Sequence, residues 1–403
     1  MKIKYTYETG VALFAVLLVG LFYSRFMISC GTVGLCLLWL LYENKKEIWN
    51  RWARNKLALS ASVILVICLV SFLNTENTAG YLASIKNKIP YFFIPLSMAG
   101  MHRISGRGRE LLLYLFILLL LLSGAWTLLY YITHMSSIAT AYSKGQILPT
   151  VIHHVSYSFL LVTGVLFMVN GCLNTKNKWL FSLYFALSLW LIFMIHLLAV
   201  RTGIICLYVA LPVYLFCICI ERGAFRVLVL SIIALSITGI VLFSTVDTLQ
   251  KKADYVLYDL KHIHQNINTD NQLSDTRRLL SDQLGWEIAI QHPWAGVGIG
   301  DVQDAMNELY NTTYPTFTQE TRGHIHNQFI YIFAGCGFVL GIIFILAIVY
   351  PVWYFFRHRS FLLASVYLGL ILVLFWEPFL EYQLGNTIYL LVLALGVNQT
   401  SES

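Results

Sequence analysis

Charge is scarce in this sequence. Of its 403 residues only 12% are Asp, Glu, Lys or Arg, against about a quarter in a soluble globular domain. So few charges exclude a water-solvated globule and leave lipid as the main solvent. Cysteine occurs eight times without one CxxC pair, and each lies in or beside an apolar stretch. Neither a zinc ribbon nor a disulfide framework has support. No Gly-Lys-Ser/Thr follows the glycine-rich "GVGIGD", which excludes a P-loop. The net positive charge is carried by short loops between apolar runs, so no nucleic-acid partner is expected. Internal repeats and low-complexity tracts are missing too.

What the sequence has is hydrophobic residues, 58% of the total, in runs near the roughly 20 residues that cross a bilayer. Twelve spans are expected, at about 9–24, 27–42, 57–74, 84–101, 111–133, 155–173, 179–200, 202–220, 227–245, 327–354, 361–376 and 380–397. Pro90 and Pro95 should kink the fourth, which also holds Lys86 and Lys88 near its start. The first has the basic start and apolar run of a signal peptide, but no small-residue cleavage site, and reads as a retained helix.

Lysine and arginine set the orientation. With the N-terminus in the cytoplasm, the inner loops hold 16 of the 27 Lys and Arg, and the short outer connections hold only Arg25, Lys86, Lys88, Lys144 and Arg201. Both termini are then cytoplasmic, and the one long hydrophilic segment, 246–326, lies outside. Within it, Val246, Leu249, Ala253, Val256, Leu260 and Ile263 recur at helical spacing. An amphipathic helix on the membrane surface is expected. The polar break "NINTDNQ" follows. "SDTRRLLSDQLGWEIAIQ" reads as a second helix with Ser274 as its N-cap and Pro293 beyond its end.

Few residues have the chemistry for catalysis. The glycine loop reads as a tight turn bringing backbone close to a helix or a ligand. His324 and His326 form an H-x-H pair at a loop–helix junction. On a strand the two point to one face and suit a metal. With the helix starting at His326, His324 points away, and a single histidine acting as acid or base is the better reading. His262 and His264 sit in a helical pattern, which puts them on nearly opposite faces. Arg201 is either a snorkelling side chain or part of an anion site. Arg278 either pairs with Asp282 one turn on or, with its neighbour Arg277, offers a fork to phosphate oxygens. Glu377 and Glu381 flank the outer turn "WEPFLEYQLG" as solvated groups or as partners of a sugar hydroxyl or an arginine. His153 and His154 open the sixth span as substrate contacts or interface anchors. His196, inside the seventh, reads as a satisfied packing histidine. Arg201, Arg278 and His326 share the outer membrane surface, where two arginines and a histidine suit a lipid-linked phosphate substrate and need neither nucleotide nor metal.

"SDTRRLLSDQLGWEIAIQHPWAGVGIGD", a spacer, and "HIHNQFIYIFAGCGFVLG" resemble the O-antigen ligase and polymerase superfamily. The shared features are Arg278 opening a helix, Pro293 with Gly296 and Gly298 in a turn, and His326-Asn327 leading into a helix with Gly335 and Gly337. "AVRTG" resembles the family's basic residue at the outer end of an earlier span. Asp282 stands where an aromatic often follows the helix arginine, and the arginine is doubled.

The resemblance implies an all-α integral membrane glycosyltransferase, GT-C-like, with one large periplasmic loop containing amphipathic helices. It implies metal-independent, inverting transfer of a glycan from undecaprenyl pyrophosphate to lipid A–core at the periplasmic face of the inner membrane, without a cofactor. His326, Arg278 and Arg201 would be catalytic. Arg277, His153, His154, Glu377, Glu381 and Asn327 would bind substrate. A polymerase of the same superfamily is the first rival. A transporter is the second, disfavoured because the span centres carry no charge and no repeat is visible.

Overall fold

The computed structural model describes residues 2–101, 106–143, 146–245, 247–266 and 274–400. Among them every regular element is a helix. In chain order these are α1 (Lys2–Tyr23), α2 (Arg25–Leu37), α3 (Lys45–Arg54), α4 (Lys56–Val70), α5 (Thr78–Lys88), α6 (Pro90–Gly100), α7 (Gly106–Thr133), α8 (Met135–Ser143), α9 (His154–Asn174), α10 (Lys178–Leu198), α11 (Arg201–Glu221), α12 (Phe225–Thr245), α13 (Asp247–Asn266), α14 (Ser274–Gln291), α15 (Val302–Thr313), α16 (Gln328–Arg357), α17 (Phe361–Leu374) and α18 (Gln383–Thr400).

Among the described residues seven helices are long and apolar enough to cross a bilayer: α4 continued to Asn74 by a 3-10 turn, α7, α9, α10, α11, α12 and α16. The pair Arg25–Leu41 and Lys45–Arg54, bent by 118°, makes at most an eighth. The other expected spans are apolar but shorter, or broken. The residues of α1, α17 and α18 that pass as apolar fall below spanning length. The expected fourth span is two helices, because Pro90, with no N–H to donate, takes the first turn of α6. Seven or eight crossings are what length and apolarity support, and the chain is a multi-pass membrane protein.

The chain forms two compact units. One comprises Met1–Leu113, Asp259–Pro351 and Leu374–Ser403, and the other Tyr114–Tyr258 and Val352–Val373. In the first, α6 is the centre. Tyr91 and the run Ile94–Gly100 are buried, with α2, α3, α4 and α18 around them. A helix apolar on every side must be enclosed in this way. In the second unit, α9 is the enclosed helix, packed on α10 and α11. There His196 bonds Ile192 O at 2.8 Å and the Tyr208 hydroxyl at 3.1 Å, the satisfied packing histidine expected of it.

A contact from α13 fixes the start of α14. Ser274 is the first residue of α14, and its side chain, expected as the N-cap, lies outside the described residues. The capping acceptor is the fully buried Asp259 of α13, which takes the Asp275 N–H at 2.8 Å and the Thr276 hydroxyl at 2.7 Å. The polar break beyond Asn266, and the side chains of His262 and His264, lie outside the described residues.

The glycine loop is structural. α16 is broken at Gly337, whose φ of 77° and ψ of 172° interrupt the helix. The loop meets the break. Val297 N–H donates to Ala334 O and Gly298 N–H to Gly335 O, both at 2.9 Å, and Phe338 N–H returns to Pro293 O at 2.8 Å. Only glycines permit this approach. A Cβ on Gly296 (φ 69°) would lie 2.4 Å from Gly335 C, and one on Gly337 would lie 2.5 Å from Trp294 O. On its other side the loop meets the chain leaving α4. Asp301 accepts the N–H groups of Glu76 and Asn77 at 2.9 and 2.8 Å, and Asn74 Nδ2 donates to Ala295 O at 3.0 Å.

Gly296→Ala and Gly337→Ala should each destabilise the protein by about 2 kcal/mol or more, combining a forbidden φ with a backbone clash. Thermal unfolding in detergent checks this. Gly106→Ala, where a Cβ meets nothing within 4 Å, should leave the midpoint unchanged.

Candidate active site

The site is built on an apolar pin. Leu280, Leu284, Ile288 and Ala289 of α14 form a buried cluster with Val302, Met306 and Tyr310 of α15, and Ile325 is inserted into it. A Cβ on Gly285 would fall 2.6 Å from Ile325 Cδ1, so glycine makes the seat for that side chain. The segment around Ile325 is not helical. Neighbours in such a segment alternate faces. With Ile325 inward, His324 and His326 share the opposite face, with ring centroids 4.4 Å apart.

This corrects the expectation that His324 points away. α16 starts at Gln328, two residues later than expected. Asn327 is its capping residue, with Oδ1 accepting the N–H groups of Phe329 and Ile330 at 2.9 and 3.2 Å. His324 bonds the Tyr382 hydroxyl at 3.0 Å.

Asp282 fixes the approach. It does not form the expected surface pair with Arg278. One oxygen, Oδ1, accepts both the His326 N–H at 2.7 Å and the Asn327 N–H at 3.0 Å. Burial pushes its carboxyl above the usual range, and the N–H groups of Asn327 and His326 oppose that rise.

Arg278 turns to Glu377 instead, with Nη2 on Oε1 at 2.9 Å. Glu377 is only 6% exposed, and its other oxygen faces His326 Nδ1 at 4.0 Å. That nitrogen is buried without a hydrogen-bond partner. One carboxylate therefore stands between a guanidinium and an imidazole. An arginine is the partner of Glu377, one of the alternatives open for it. Of the two adjacent arginines, Arg278 is the one that meets it. Arg277 lies beside Gly323, with Nε buried and unbonded.

Glu381 is engaged elsewhere. Its Oε1 accepts from Lys88 Nζ at 3.0 Å and from Gln328 Nε2 at 2.8 Å. Arg201, His153 and His154 belong to the other unit. Arg201 begins α11, exposed, just after Ala199 in the left-handed region (φ 49°). His153 precedes α9, and its ring lies 4.4 Å from that of His154. Among the described residues no three His, Cys, Asp or Glu side chains gather as metal ligands.

The sequence did not single out Asp282, Tyr382, Lys88 or Gln328 for the roles they take. A lysine within an otherwise apolar run was the one signal that might have found Lys88, since such a charge requires a partner. Asp282 and Gln328 act through contacts distant in sequence, which no local pattern shows.

None of the curated proteins matches the chain. Residues 185–345 match the family model described as O-antigen ligase. That stretch holds Arg201, Arg277, Arg278, the glycine loop and His326, and it ends before Glu377. Over that stretch the chain is similar to the O-antigen ligase family.

Proposed function

We propose that this protein is an O-antigen ligase, transferring a glycan from undecaprenyl pyrophosphate to lipid A–core at the periplasmic face of the inner membrane. The observation that carries the reading is Glu377 set between Arg278 and the buried, unbonded Nδ1 of His326. A buried nitrogen without a partner is costly unless the site uses it.

The step is a displacement at the anomeric carbon of the donor sugar. An acceptor hydroxyl oxygen forms the new bond to that carbon. The bond from carbon to phosphate oxygen breaks, and the pyrophosphate leaves on its lipid with the electron pair. The hydroxyl proton passes to His326 Nε2. Nδ1 faces Glu377, whose charge favours the imidazolium that results. Attack opposite the leaving group inverts the anomeric centre.

Arg278, steered by Glu377, presents its remaining N–H groups to the pyrophosphate oxygens, where charge grows as the bond breaks. Arg201 supplies a second fork in this reading, on the resemblance of "AVRTG" alone. The arginines take the part a divalent ion plays in many nucleotide-sugar enzymes, so no metal is required. Arg277, His153, His154 and Asn327 remain proposed substrate contacts. Asn327 combines that role with capping α16. Glu381 acts from behind the site. The compact chain with a single large outer loop favours a ligase over a polymerase.

Purified protein reconstituted with lipid-linked glycan and lipid A–core should yield a gel-shifted product, and EDTA should leave the rate unchanged. Growth of the glycan on its carrier, with none on the core, would make the protein a polymerase. Loss of activity on chelation, restored by one cation, would revive the histidine pair as a metal site.

His326→Ala should lose about 100-fold or more in turnover, the usual scale for removing a general base, while still binding donor. Arg278→Lys and Arg201→Lys should fall well below wild type while remaining membrane-inserted, because lysine keeps the charge and loses the fork. His324 shares a face with His326, so His324→Ala separates the readings. Equal loss at both positions points to a metal pair, and a milder loss at His324 to a single base. A wild-type rate for well-expressed His326→Ala would exclude this mechanism.

A further inference from the structure

Lys88 is 1% exposed, a cation enclosed at the end of α5 just before the proline break. A buried charge is tolerated only when paired and hydrogen-bonded. Its partners are Glu381 Oε1 at 3.0 Å and the carbonyl of Leu380. Gln328, 0% exposed, completes the cluster. Its Nε2 donates to Glu381 Oε1 at 2.8 Å, and its Oε1 accepts the Leu380 N–H at 2.8 Å.

The cluster joins two segments that carry the reacting groups. Gln328 is the first residue of α16, two after His326. Leu380 and Glu381 lie in the 3-10 turn Phe379–Glu381, which follows Glu377 and Pro378. Both ends of the Gln328 amide are used to hold that turn. Inside the turn, Phe379 N–H bonds Glu377 O at 2.7 Å and Glu381 N–H bonds Pro378 O at 2.9 Å. A Cβ on Gly385 would overlap Phe379 O at 1.8 Å, so the turn is closed against α18 as well. The stretch from Glu377 to Glu381 is tied together by its own hydrogen bonds, and Gln328 and Lys88 hold it on the side of His326.

We infer that Gln328, with the Lys88–Glu381 ion pair, is a positioning group that sets the spacing between Glu377 and His326. It touches neither substrate. The inference rests on the reading of His326 and Glu377 above, and goes beyond it by naming what holds the 4.0 Å gap. A displacement of about 1 Å at such a pair is enough to cost up to 100-fold in rate.

The test is a double-mutant cycle on turnover, normalised to folded protein in detergent. Gln328→Met keeps the length and apolar stem and removes both hydrogen bonds. It should lower kcat by roughly 10-fold, with a rise in KM for the lipid-linked donor no larger than that of Glu377→Gln, since Arg278 is reached only through Glu377. In a Glu377→Gln background the same change should cost less than about 2-fold, because the group it positions is already disabled.

Lys88→Met/Glu381→Gln provides a second entry to the cycle if Gln328→Met folds poorly. It removes both buried charges together and leaves position 381 an acceptor for Gln328. It should behave in the same way. Full additivity of either variant with Glu377→Gln, or a wild-type kcat for both variants, would overturn the inference while leaving the proposed function intact. A wild-type kcat for Glu377→Gln itself would instead overturn the reading on which the inference rests.

Discussion

An apolar helix surrounded by lipid cannot break without finding new partners for its freed N–H and C=O groups. α16 breaks at Gly337, and the Pro293–Gly298 loop supplies those partners. Most of the architecture around the site depends on this exchange. The loop is held by α16 on one side and by residues 74–77 on the other, through Asp301 and Asn74. It therefore fixes the start of α15, whose Val302, Met306 and Tyr310 form the seat for Ile325. Ile325 in turn presents the two histidines. The glycine-rich loop lies against a long hydrophobic helix because the two complete each other's hydrogen bonding.

The electrostatics of the site rest on two carboxylates with different duties. Asp282 accepts backbone N–H groups and holds the chain at His326 in place. Glu377 accepts from Arg278 and faces the imidazole. Glu377 is buried and Asp282 half-buried, which strengthens each contact and makes an unmatched charge expensive. Arginine is suited to the first partner of Glu377, because its planar fork can hold a carboxylate with one N–H and keep others for phosphate oxygens.

Much of this was legible in the sequence. The all-helical character follows from apolar runs of spanning length, and the amphipathic spacing from Leu249 onward falls in α13. His326 and Arg278 stood out because polar groups are rare in such a chain. The direction of His324 was misread for a local reason. Asn327 is a strong capping residue, and placing the helix start after it would have put His324 and His326 in an extended segment on one face. The partner of Glu377 was not readable, since Arg278 is 99 positions away. Lys88 was seen as an outer-connection charge beside a proline kink. Its burial comes from the packing of the turn after Glu377, which no local pattern encodes.

The Ile325 pin makes chain length a quantity that cannot vary here. Inserting or deleting one residue between Gly323 and Asn327 would exchange the two faces of the segment. The isoleucine would turn into water and a histidine into the apolar seat, while the Asp282 contacts slipped by one amide. This strip of sequence is constrained in the number of its residues as well as in their identity.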